Sequence, residues 1–70
     1  MTSKRTMTLN LNELEMDILE RLSKDKGLSK TALVRQALRL YQSLNDRLEN
    51  GEKLFMENTE KNEKMELMIL

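Results

Sequence analysis

Cysteine, histidine, tryptophan and proline are all missing from this sequence. Without Cys there is no disulfide framework and no thiolate metal site. Without His as well, the nucleophile–base pairs and metal sites that need either residue are excluded. The carboxylates are scattered along helical segments, so no catalytic residue, metal or cofactor is expected. The lack of Cys agrees with a reducing cytosol. A secretory leader pattern is also lacking, and the longest apolar run, residues 67–70, is far too short to span a bilayer. The expectation is therefore a cytoplasmic protein with no membrane contact. The net charge is zero, which by itself says nothing about nucleic acid. Seventy residues make one small α+β chain at the size where a single core supplies only a few kcal/mol. With no disulfide and no metal available, self-association is the remaining source of stability.

What is present is asymmetric. Residues 1–44 carry eight Lys/Arg against five Asp/Glu, a net +3, and residues 45–70 carry four against seven, a net −3. That division suggests a basic working end and an acidic distal end.

After a flexible arm, residues 1–4, the segment 5–11 alternates strictly. Met7, Leu9 and Leu11 are apolar; Thr6, Thr8 and Asn10 are small and polar. On a strand this puts a greasy face beneath and short hydrogen-bonding groups above. No hairpin partner follows within two to five residues, and an unpaired strand is costly wherever its backbone is buried. A second copy of the same strand from another chain is the simplest remedy. Two helical segments come next. Asn12 is a suitable N-cap for a helix over 13–26, with Met16, Leu19 and Leu22 on its buried stripe and Leu14 and Ile18 on a neighbouring face. Gly27 supplies a left-handed stop. Ser29, or Thr31, caps a second helix that runs to about residue 50, with Leu33, Val34, Ala37, Leu38, Tyr41, Leu44 and Leu48 along one stripe; Gly51 ends it. The tail returns to period two over 53–57 and 64–70, around a polar segment 58–63, and reads as a hairpin with a longer loop. A continued helix is the competing reading, and Gly51 with the Asn58-Thr59 pair argues against it. The expected division is 1–50 and 51–70.

The order of Thr6-Met7-Thr8-Leu9-Asn10-Leu11, Gly27-Leu28-Ser29-Lys30 and Leu33-Val34-Arg35-Gln36-Ala37-Leu38 with Tyr41 resembles the ribbon-helix-helix family of CopG-, Arc- and MetJ-like DNA-binding repressors. The resemblance covers about residues 5–44 and is closest in character to bacterial plasmid copy-number repressors. It implies an intertwined homodimer whose paired strands form an intermolecular antiparallel ribbon that enters the major groove of an operator. By position in the motif, Thr6, Thr8 and Asn10 match base-reading residues. Hydroxyls and the Asn amide have the donors and acceptors that base edges present. Lys4 and Arg5 lie where phosphate contacts fall, and Ser29 and Lys30 match the phosphate clamp at a helix N-terminus. Met7, Leu9, Leu11, Leu33, Ala37, Leu38 and Tyr41 match the dimer core. Three departures stand out: Ala32 where an acid often completes a capping box, Glu15 where an apolar residue is common, and no Arg on the strand. The family also implies dimers of dimers on DNA. The function expected is a transcriptional repressor. One alternative is an antitoxin whose residues 52–70 grip a toxin; another is a purely structural dimer.

Overall fold

A computed structural model describes residues 3–68; Met1, Thr2, Ile69 and Leu70, and with them part of the expected arm and last strand, lie outside the described residues. The elements are α1 (Glu13–Lys26), α2 (Lys30–Glu49), β1 (Leu54–Asn58) and β2 (Glu63–Leu67). Contacts divide the chain into two compact units, one ending at Leu33 and the other beginning at Val34, so α2 contributes to both.

In the first unit, α1 is punctuated at both ends. Asn12 Oδ1 accepts from the Glu15 N–H at 2.8 Å, and Glu15 Oε1 accepts from the Asn12 N–H at 3.1 Å. This reciprocal capping box satisfies two donors that a helix start leaves orphaned. At the other end Gly27 takes φ 65°, a left-handed conformation that carries no Cβ penalty in glycine. There the Leu28 N–H donates to the Ser23 carbonyl at 3.0 Å and the Gly27 N–H to the Lys24 carbonyl at 3.3 Å, the paired bonds of a Schellman stop. Glu13 and Glu15 at the start, with Lys24 and Lys26 at the end, complement the helix dipole. Two residues on, Ser29 Oγ accepts from the Ala32 N–H at 3.1 Å and so caps α2. Met16, Leu19, Leu28 and Leu33 are half-buried, whereas Leu14 and Ile18 stay exposed at 69% and 40%.

The second unit holds the rest of α2 and the hairpin. Gly51, at φ 88°, ends α2 with the same bond pattern. The Glu52 N–H donates to the Arg47 carbonyl at 3.0 Å, and the Gly51 N–H to the Leu48 carbonyl at 3.1 Å. β1 and β2 pair antiparallel, Leu54 opposite Leu67 through Asn58 opposite Glu63. The tail is thus a hairpin and not a continued helix. Its loop is shorter than the polar segment suggested, because Asn58 Oδ1 accepts from the N–H groups of Glu60 and Lys61 at 3.1 and 3.2 Å. That Asx turn lets Asn58 and Glu63 pair as the last rung. Asn62 takes the positive φ of 54° that closes the loop, a conformation Asn tolerates better than most residues.

Among the described residues no hydrophobic side chain is buried; the one buried residue is Ser23. The helices and hairpin therefore form around apolar stripes that nothing within the single chain fully covers.

Candidate nucleic-acid interface

Residues 3–12 belong to no helix or strand within the chain, and residues 3–10 are all exposed. Among the described residues the ribbon segment accordingly has no pairing partner, as an alternating strand without a hairpin mate would require. Exposure does not separate its two faces. Met7 and Leu9 are 78% and 50% exposed, alongside Lys4, Arg5, Thr6, Thr8 and Asn10; Leu11 alone is half-buried. An apolar face left this open is the surface expected to change on pairing.

At the start of α2 the expected anion site has a definite geometry. Ser29 engages its hydroxyl oxygen as the cap and its carbonyl with the Leu33 N–H at 2.9 Å. In a helix the N–H groups of the first two residues, here Lys30 and Thr31, have no intrahelical acceptor, so they are free to hold an anion. Lys30 Nζ meanwhile sits 3.2 Å from Glu20 Oε1, both side chains about half exposed. An ion pair this exposed is worth at most about 1 kcal/mol, so a phosphate can compete for the ammonium. Residue order had given no hint of Glu20 as the Lys30 partner, because the two lie on different helices.

The expected dimer-core residues divide by exposure. Leu33 is half-buried; Leu38 and Tyr41 are 70% and 48% exposed, and Ala37 is exposed as well. Tyr41 does take part in an interaction of its own. Glu15, conspicuous as a charged residue at a position often apolar, acts instead as the acid of the α1 capping box. The signal for that role was in the sequence as Asn12-x-x-Glu15. Among the described residues no group of three His, Cys, Asp or Glu side chains is placed to hold a metal ion, and no helix is long and apolar enough to cross a membrane. Comparison with family models, with curated proteins and with solved structures found no match to this chain.

Proposed function

We propose that this chain is a sequence-specific DNA-binding transcriptional repressor. It acts as a homodimer whose two 6–11 segments pair antiparallel and insert into the major groove of a double-stranded operator. The observation that carries the reading is the alternating segment Thr6 to Leu11: exposed, without a strand partner, and followed by two capped helices that bury no apolar side chain. A second copy answers both needs at once. It supplies the missing strand and covers Met7, Leu9, Leu11 and the α2 stripe. Thr6, Thr8 and Asn10 then lie on the opposite face of the ribbon. The major groove is wide enough for such a ribbon and gives each base pair a distinct donor and acceptor pattern. Lys4, Arg5, the Lys30 ammonium and the amides at the start of α2 hold phosphates and set the register without reading sequence.

The test is selection of bound sequences from random duplex DNA with the purified full chain. A site with two related halves is expected. Asn10→Ala should cost about 1–3 kcal/mol on that site and relax preference at one base position. Failure to enrich any sequence overturns the DNA reading, and Asn10→Ala binding selected and random DNA as the parent does overturns the base-reading role.

A further inference from the structure

The C-terminal hairpin has two unlike faces. Cross-strand partners share a face, so Leu54 with Leu67 and Met56 with Met65 form one side, and Phe55 with Glu66 and Glu57 with Lys64 form the other. The second side is occupied by its own contacts. Lys64 Nζ lies 4.6 Å above the Phe55 ring, and Lys53 Nζ lies 3.9 Å from Glu66 Oε1. The first side is apolar and only partly covered. At one end Leu54 and Leu67 are half-buried, and with Leu48 of α2 they line a cleft of about 260 Å³. At the other end Met56 and Met65 stand 61% and 63% exposed. A two-stranded hairpin is marginal in water unless something packs on its apolar face.

Area says what covers it. The chain exposes 7181 Å², whereas a compact monomer of 8.3 kDa exposes about 4,600 Å². The excess, about 2,600 Å² per chain, is roughly three times what one partner buries in a standard interface. It falls instead in the range of obligate homodimers, so the interface with a second copy must extend past a short ribbon. The apolar stripe of α2 continues through Leu44 and Leu48 toward Leu54, which lines a cavity with both of them. The hairpin face is thus continuous with the stripe that such a dimer covers.

We propose that the hairpin face of Leu54, Met56, Met65 and Leu67 is a second self-association surface, covered by the same face of a second copy. The contact is isologous: one patch meets itself across a two-fold axis. Methionines suit it, because unbranched thioether side chains adapt to a facing copy of themselves. The proposal rests on the chain pairing with itself, as in the reading above, and not on the paired chain reading DNA.

The experiment uses the full chain with Met56 and Met65 both replaced by Thr, a residue that favours strands. The dissociation constant is measured by sedimentation equilibrium, and Glu57→Gln on the opposite face is the control. The double variant should weaken association by at least about tenfold, and Glu57→Gln should leave it unchanged. Because the chain is free of cysteine, a second measurement needs no further change: Met56→Cys and Glu57→Cys variants are each treated with a short bis-maleimide. Covalent dimers are expected from Met56→Cys and not from Glu57→Cys. An unchanged dissociation constant, or equal crosslinking at the two positions, overturns the proposal and leaves the face to a different protein such as a toxin. A chain that selects no DNA sequence but loses association on double substitution overturns the DNA reading alone.

Discussion

Lys30 is the side chain on which phosphate holding turns. Its ammonium is shared with Glu20 at 3.2 Å in a half-exposed pair, so the carboxylate both restrains it and repels an incoming anion. Lys30→Ala should weaken binding to all DNA sequences alike and flatten the log–log salt dependence by about one unit. Glu20→Gln should do the opposite to affinity, strengthening random-sequence binding roughly two- to threefold at low salt. Titrations at several salt concentrations read both effects, and an unchanged slope for Lys30→Ala removes it from the interface. Ser23 poses a different question. It is the one buried residue among those described, and its Oγ has no hydrogen-bond partner. A buried hydroxyl without a partner destabilises, and Ala has the higher helix propensity. Ser23→Ala should therefore raise stability by up to about 1 kcal/mol, measured by urea unfolding at fixed protein concentration.

The helices depend on their ends, because little apolar burial holds them from the side. Asn12→Ala removes one arm of the α1 capping box and should cost about 1 kcal/mol, visible as a lower urea midpoint; Glu15→Ala should cost less, since the Asn12 cap on Glu15 N–H survives. These ends were also what the sequence made legible. Asn12, Gly27, Ser29 and Gly51 act through local bonds within a few residues, so α1 falls on 13–26 as expected and α2 begins directly after Ser29. The hairpin was legible through its period of two, but its loop was not: the Asn58 side chain folds the turn from inside the polar segment and draws Asn58 and Glu63 into the ladder. Leu14 and Ile18 lie off the half-buried stripe, as their spacing implied, and both are exposed. The ribbon segment and the core positions Ala37, Leu38 and Tyr41 are another matter. Their alternation and stripe are plain in the sequence, yet what covers them belongs to two chains, and no local bond within one chain can supply it.

For the molecule as a whole, the absence of any buried hydrophobic side chain among the described residues makes folding and association one event. The thermal midpoint should rise steadily with protein concentration over a hundredfold range. A midpoint independent of concentration, together with a monomer mass in solution, overturns this. The same open apolar stripes have a bearing on lifetime. A chain that folds only when paired is presented to proteases as an open chain whenever it is diluted below its dissociation constant. Its turnover should then fall as its abundance rises, giving a self-set threshold below which the protein is cleared and above which it persists. Limited proteolysis at a series of dilutions measures this directly: cleavage per molecule should climb steeply as concentration drops through the dissociation constant, and a flat profile would rule the threshold out.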